Sequence, residues 1–133
     1  MAKIHAGISE LKSSHHRLST FWGNAGAPAY LLLFYAAECG LKYAELKRRN
    51  LRTTEQLEDV DHDLNRLIKS LNVPAAVLGA APALRLSRPK NEPCPHSSAH
   101  QAWRYGVRID PNAENEFVAW LRRICDFVRR EYL

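Results

Sequence analysis

Apolar and polar residues recur at helical spacing along most of this chain, and one stretch is apolar on nearly every helical face. That stretch runs from 28 to 46. A helix that is apolar all round lies in the centre of a protein, with other helices around it. Pro28 suits the first turn of this helix, and Asn50, after a run of cationic residues, is a plausible stop. The pattern therefore predicts a buried central helix that ends at about residue 49.

Shorter apolar stripes predict the helices that surround the central one. A first amphipathic helix has Ser9 as its cap. A third helix follows the capping box at 53–56 and continues to about Leu71, and its pattern allows a break near Asp59 to Asp61. The final helix has Asn112 as its cap and an apolar face that extends to Val128.

The segment between the third and final helices carries weaker patterns. Residues 75–83 are compatible with one or two helical turns, and 100–105 with a short helix that Gly106 ends. Residues 85–95 contain three prolines and are predicted to be a loop. Because no segment shows the two-residue alternation of a strand, no sheet is expected. The prediction for the whole chain, 1–133, is a single all-α domain, a small up-and-down helical bundle of four to five helices.

The composition is that of a globular protein with a preference for anionic partners. Of the 133 residues, 46% are hydrophobic and 25% are charged, and the formal net charge is +5. The longest apolar run is too short to cross a bilayer, and the first residues lack the apolar segment of a secretion signal. We therefore expect a cytoplasmic protein that does not use a membrane. The positive charge favours anionic partners.

Cysteine and histidine residues give little sign of a disulfide or metal framework. The three cysteines are an odd number, and Cys39 and Cys125 lie in apolar helical patterns, where cysteine acts as a small hydrophobic residue. Cys94, His96 and His100 are a weak zinc candidate, because they offer three suitable ligands and no fourth ligand lies nearby. We expect no metal and no cofactor.

Two charged residues interrupt the apolar surface of the central helix. Glu38 and Lys42 are one turn apart, and a buried charge needs a partner to offset its loss of hydration. Residues of other segments that are able to satisfy them are His62, Asp63 and Arg104. Glu38 with Arg104 and Lys42 with Asp63 is a physically sensible pairing, although spacing does not determine it. These five residues are predicted to form a polar centre, first as a structural network and second as a ligand site.

The order of three short motifs resembles that of a known family. The motifs are AAECGLK at 36–42, HDL at 62–64 and WRY at 103–105. Their order is similar to that of HEPN-like domains, the higher-eukaryote and prokaryote nucleotide-binding bundles. The resemblance covers the chain from the second helix onward. It implies an up-and-down bundle that often forms homodimers, occurs in bacterial defence, toxin–antitoxin and mobile-element systems, and in many members is a metal-independent RNase.

The RNase members of that family carry an arginine followed closely by a histidine, and this chain lacks the motif. Its nearest approach, Arg88 and His96, is too widely spaced. The resemblance therefore implies a non-catalytic binding or interaction module. One alternative is a divergent RNase with His62 or His100 as the base and Arg104 as the phosphate clamp. Another is a regulator that binds only a partner protein.

Basic residues are the candidates for phosphate binding. Four of them are predicted to contact phosphates, namely Arg48, Arg49, Arg52 and Arg122, and further cations lie in the proline-rich loop at Arg85, Arg88 and Lys90. If such groups converge, they form an electrostatic site for RNA, DNA or a nucleotide. The competing interpretation is that a helix of mixed charge is simply a solvated surface.

Three aromatic residues are candidates for stacking on bases. They are Trp22, Trp103 and Tyr105. Stacking of a base on an aromatic ring is a common mode of single-strand binding. In a small bundle, however, aromatic residues more often belong to the core.

Overall fold

The computed structural model describes residues 7–19, 26–57 and 64–132, and most of them are helical. The helices are α1 (Ile8–Ser19), α2 (Ala27–Arg49), α3 (Leu64–Ser70), α4 (Ala75–Leu78), α5 (Ala99–Tyr105) and α6 (Pro111–Tyr132). Two 3₁₀ turns lie at Thr54–Leu57 and His96–Ser98, and two short strands, β1 (Leu84–Arg85) and β2 (Pro93–Cys94), form an antiparallel pair. The predicted all-α class is confirmed.

Helix α2 is the central element of the described structure, as its apolar surface predicts. α1, α3, α5 and α6 all pack against it. Its boundaries also agree with the prediction, because Pro28 lies in its first turn and Asn50 ends it in the left-handed conformation, with φ of 56°. The Asn50 N–H bonds back to the carbonyls of Leu46 and Lys47. These signals are local in sequence, so they specify the helix whatever surrounds it.

The predicted caps of the first and last helices are each displaced toward the N-terminus. α1 begins at Ile8 rather than after Ser9, and the preceding Gly7 donates its N–H to the Glu10 carboxylate at 3.3 Å. α6 begins at Pro111, and the Asp110 carboxylate accepts the N–H of Ala113 at 3.1 Å. The cap of α6 is therefore Asp110, and the prediction of Asn112 as the cap was wrong. The fixed φ of proline favours the first helical position, which extends the helix back to Pro111.

The described part of the predicted third helix is α3 (Leu64–Ser70). The capping box at 53–56 overlaps the 3₁₀ turn at Thr54–Leu57. The break that the sequence indicated near Asp59 to Asp61 lies outside the described residues. At the other end, Asn72 has φ of 54°, which agrees with the expected stop after Leu71.

The proline-rich loop between α4 and α5 contains a short hairpin that the sequence analysis did not predict. Leu84 pairs with Cys94 and Arg85 with Pro93, and Leu86 forms a bridge to Ile109, beyond α5. The hairpin is therefore held against the segment that leads into α6. The prediction of a loop without a sheet was wrong here. A strand of two residues is too short to show the alternation of apolar and polar residues by which strands are predicted.

Cys94 and Cys125 belong to the core of the described structure, and Cys39 is partly buried against it. Cys39, Cys94 and Cys125 are all free thiols, and burial raises the pKa of Cys39 to about 11 and that of Cys125 to about 12. Thiols with such pKa values are protonated at neutral pH and pack as small apolar groups. Among the described helices, none is both long and apolar enough to span a membrane.

Candidate functional site

The ion pair of the central helix lies within α2 itself. The Lys42 ammonium donates to the Glu38 carboxylate at 2.9 Å, and both side chains are largely buried. Residues four apart lie on the same face of a helix, so this pair forms without any contribution from another segment. The suggested pairing of Glu38 with Arg104 is wrong, because no ion pair joins these two described residues and Arg104 is exposed, with its guanidinium 5.3 Å from the centre of the Tyr105 ring.

The remaining members of the predicted polar centre are His62 and Asp63. Both lie outside the described residues. Of the predicted five, the structure thus brings together Glu38 and Lys42 and places Arg104 on the surface.

Among the described residues, the most deeply buried charged side chain is that of Glu45, which was not predicted from the sequence. Its Oε1 atom accepts hydrogen bonds from Arg48 at 2.6 Å, from Arg49, and from the Ser70 hydroxyl at 2.9 Å. Burial alone would raise the pKa of Glu45, but these hydrogen bonds outweigh it and hold the pKa below its ordinary value. Because Ser70 belongs to α3, Glu45 links α2 to α3. Its position among charged residues near the end of α2 is typical of an exposed side chain. Its burial is therefore evident only from the structure.

The cations at the end of α2 bind groups of the protein itself. Arg48 and Arg49 both bind the Glu45 carboxylate, and Lys47 donates to the Tyr132 carbonyl at 3.0 Å. Two predicted phosphate ligands, Arg48 and Arg49, and the neighbouring Lys47 thus already bind protein groups. Of the other predicted phosphate ligands, Arg52 is exposed.

Arg122, the fourth predicted phosphate ligand, lies apart from the end of α2. It is half-buried in the middle of α6, about 15 Å along the helix axis from Tyr132 at a rise of about 1.5 Å per residue. Its neighbour Arg123 donates to the Leu78 carbonyl at 2.9 Å and so joins α6 to α4.

The weak zinc candidate is not assembled into a metal site. His96 directs Nε2 at the Pro82 carbonyl, so this nitrogen carries the proton, and its Nδ1 accepts from the Asn65 amide at 3.1 Å. With both nitrogens occupied, the ring has no lone pair to offer a metal. His100 packs instead against Phe34, with 5.4 Å between ring centres. Within the described part of the chain, no cluster of three potential metal ligands occurs.

A cavity of about 480 Å³ lies beside the hairpin, and its polar groups are chemically inert. It is lined by Asn65, Cys94 and His96 among others. The two nitrogens of His96 are bonded as described, and burial raises the pKa of the Cys94 thiol. A nucleophilic cysteine needs a lowered pKa and an adjacent base. This cavity therefore presents neither a thiolate nor a free imidazole.

A group of exposed cations surrounds the hairpin and the end of α5. We call this surface the hairpin face, and define it by its exposed residues: Arg85, Arg88, Lys90, Arg104, Tyr105 and Arg108. Three of these cations come from the loop, one from α5 and one from the segment that follows. Hydrogen bonds hold these parts together, because Ser87 donates its N–H to the Arg108 carbonyl at 2.9 Å and Asp110 donates its N–H to the Arg85 carbonyl at 2.8 Å.

The cations of the hairpin face keep their charge available to solvent. None of the five forms an ion pair with another described residue. Arg85 donates to the neutral carbonyl of Asn91 at 2.7 Å, and Arg104 lies over the Tyr105 ring. The nearby Glu92 is exposed, whereas the Asp110 carboxylate caps α6. The face therefore carries five positive charges that no described carboxylate pairs with, whereas Arg48 and Arg49 at the end of α2 share the Glu45 carboxylate.

An open groove of about 270 Å³ runs through the hairpin face. Its walls come from the hairpin, from α5 and from the segment after it, and include Leu86, Lys90, Pro93, Gln101, Tyr105 and Val107. Several of these cations and Tyr105 were separate candidates in the sequence. Their assembly into one surface was not predictable, because the antiparallel contacts that unite them join residues about 20 positions apart in the chain.

The site described above rests on geometry and charge within this chain. Comparisons with protein-family models, with curated proteins and with solved structures find no match.

Proposed function

We propose that this protein binds nucleic acid through the phosphate groups that its hairpin face attracts. The observation that carries the proposal is the group of five exposed cations of the hairpin face, none of which forms an ion pair with another residue in the described part of the chain. Basic side chains that neutralise phosphates release bound counterions, and this release supplies most of the affinity for a polyanion. The net charge of +5 adds a long-range attraction.

The hairpin face is a better phosphate site than the end of α2. Phosphate binding at Arg48 or Arg49 competes with the buried carboxylate of Glu45, which already holds both guanidiniums. Removing these groups from Glu45 leaves a buried charge with fewer partners, which is costly. Arg88, Lys90 and Arg108 have no such competitor among the described residues. Phosphates therefore bind there without breaking an existing ion pair.

The proposed role is binding without cleavage. A base for RNA hydrolysis needs a free nitrogen within hydrogen-bond reach of the attacking hydroxyl. Of the two histidines named as a base for the RNase alternative, His62 lies outside the described residues and the His100 ring packs against Phe34. His96, beside the hairpin, has both nitrogens bonded. The resemblance to HEPN-like domains that lack the RNase motif implies the same role, a nucleotide-binding or nucleic-acid-binding module of a defence or mobile-element system. This family assignment is part of the proposal.

Fluorescence polarisation with labelled single-stranded RNA and DNA tests the proposal. We expect affinity to fall steeply between about 50 and 200 mM salt, because counterion release makes phosphate binding salt-dependent. A gel of the same samples shows whether the RNA stays intact. Cleavage that disappears in Arg104→Ala would favour the RNase alternative, and absence of binding at low salt would favour a protein partner.

A matched pair of double variants assigns the binding surface. Arg88→Glu with Lys90→Glu changes the charge of the hairpin face, and Lys12→Glu with Arg130→Glu makes the same change elsewhere. Arg130 lies about 30 Å along α6 from Asp110 at the helical rise, and its ion pair with Asp126 is exposed. We expect the first double variant to lose more affinity and to show a smaller salt slope. Equal losses in both variants would mean that net charge alone is responsible.

A further inference from the structure

Among the large hydrophobic side chains of the described structure, only that of Tyr105 is exposed. It is 70% exposed, whereas Trp103, two residues earlier, is buried with its indole N–H donating to Glu114 at 3.0 Å. α5 ends at Tyr105, and Gly106 follows in the left-handed conformation. The end of the helix thus presents the ring to solvent at the rim of the groove. The Arg104 guanidinium lies 5.3 Å from the ring centre, within the range of a cation–π contact.

The groove beside Tyr105 combines apolar walls with a few polar groups. Leu86, Pro93 and Val107 supply apolar surface. The Gln101 side chain offers both a hydrogen-bond donor and an acceptor, and the hydroxyl of Ser98 does the same. Such a site matches a flat ring with an apolar face and a polar edge. A nucleobase has this chemistry.

The charges around the groove identify the class of its occupant. Lys90 is part of the groove lining, and the exposed Arg104 and Arg108 are next in sequence to the lining residues Tyr105 and Val107. A base that enters the groove carries a phosphate on either side, and these cations supply positive charge in the same part of the chain. An uncharged peptide or an apolar ligand would use the walls of the groove but leave the surrounding cations without a counterpart.

We infer that the groove of the hairpin face holds one unstacked base against the Tyr105 ring, so that the protein selects single-stranded over double-stranded nucleic acid. This inference rests on the proposed function and narrows its substrate class. In a duplex the bases are stacked on one another and paired, so no ring is available to Tyr105. In a single strand the stacking of a base on an aromatic side chain stabilises the complex and tolerates different base sequences.

The test compares single-stranded RNA, single-stranded DNA and duplex DNA of one sequence by fluorescence polarisation at a single salt concentration. Wild type is expected to bind both single strands more tightly than the duplex. Tyr105→Ala is expected to lower single-strand affinity roughly 5- to 100-fold, as for the loss of one stacking contact. Tyr105→Phe keeps the ring and is expected to bind as wild type does. The two single strands differ in the 2′-hydroxyl, so their ratio shows whether the sugar is also recognised.

The outcomes separate this inference from the proposed function. The salt slope is expected to be unchanged in Tyr105→Ala, because the phosphate contacts remain, and to be smaller in Arg88→Glu with Lys90→Glu. If Tyr105→Ala binds single strands as wild type does, or if the duplex binds equally well, the inference is overturned while salt-dependent binding still supports the proposed function. Absence of binding by wild type overturns both. Circular dichroism of Tyr105→Ala establishes that the exposed substitution leaves the fold intact.

Discussion

His15 of α1 occupies the space that any side chain at Gly40 of α2 would need. A Cβ atom on residue 40 would lie 2.7 Å from His15 Nδ1 and 3.0 Å from Cε1. The His15 ring is almost completely buried, and its Nδ1 lies 2.8 Å from the Ala36 carbonyl, to which it donates. The absence of a side chain at Gly40 therefore lets α1 approach α2 closely and lets the imidazole bond to the α2 backbone.

Gly40→Ala is expected to destabilise the protein by about 1–3 kcal/mol, the range found when a packed core receives an extra group. Alanine by itself favours a helix over glycine by about 1 kcal/mol, so steric conflict with His15 has to outweigh that gain. Urea denaturation followed by circular dichroism measures the change. The same substitution made in a His15→Ala background is expected to cost less, because the ring is gone. A Gly40→Ala protein as stable as wild type would contradict the close approach.

The burial of His15 predicts a loss of stability at mildly acidic pH. Burial lowers the pKa of His15 below 6.5, the Ala36 hydrogen bond opposes this, and the charges of Arg129 and His16 lower the pKa further. The unfolded chain keeps a pKa near 6.5, so it binds the proton first as the pH falls. The contribution of neutral His15 is therefore complete above pH 6.5 and decreases below it.

Urea denaturation at a series of pH values from about 7.5 to 5.5 measures this dependence on either side of the ordinary histidine pKa. His15→Gln has no titrating ring, so its free energy of unfolding is expected to change less with pH than that of wild type. The other histidines are common to both proteins and cancel in the comparison. Equal slopes in the two proteins would show that His15 does not titrate differently in the folded and unfolded states.

Glu45→Gln is expected to lower the free energy of unfolding by about 1–2 kcal/mol. The variant keeps the shape of the side chain but loses the charge that strengthens the hydrogen bonds from Arg48, Arg49 and Ser70. The estimate lies at the lower end for bonds to charged groups, because both guanidiniums are partly exposed and screened by solvent. Glu116→Gln, at an exposed position of α6, makes the same change of charge and is expected to have little effect. Similar losses in both variants would contradict a special role for Glu45.

The same variant tests whether the end of α2 is a second phosphate site. Glu45→Gln weakens the hold on Arg48 and Arg49 and so makes both guanidiniums more available. If the hairpin face is the binding surface, we expect nucleic-acid affinity to match that of Glu116→Gln, which gains the same charge. An affinity several-fold higher in Glu45→Gln would show instead that Arg48 and Arg49 contact phosphates. Fluorescence polarisation at fixed salt provides the comparison.

The sequence by itself determined the central helix and the ends of several elements. Pro28 and Asn50 bound α2, and Gly106 ends α5, as predicted. These signals act through backbone conformations that depend on one residue and its neighbours, so they survive in any fold. The buried apolar surface of α2 was predictable for a similar reason, because its periodicity is a property of the helix alone.

Only the tertiary structure decided which polar groups meet. Glu38 pairs with Lys42 in its own helix, and Glu45 becomes buried because α3 brings Ser70 against it. The hairpin face depends on the bridge between Leu86 and Ile109, which unites cations from separate segments. Spacing along a chain reports which residues share a helix face, but it carries no information on which distant segments approach each other. For that reason the helical class was predictable from the sequence, and the surface proposed to bind nucleic acid was not.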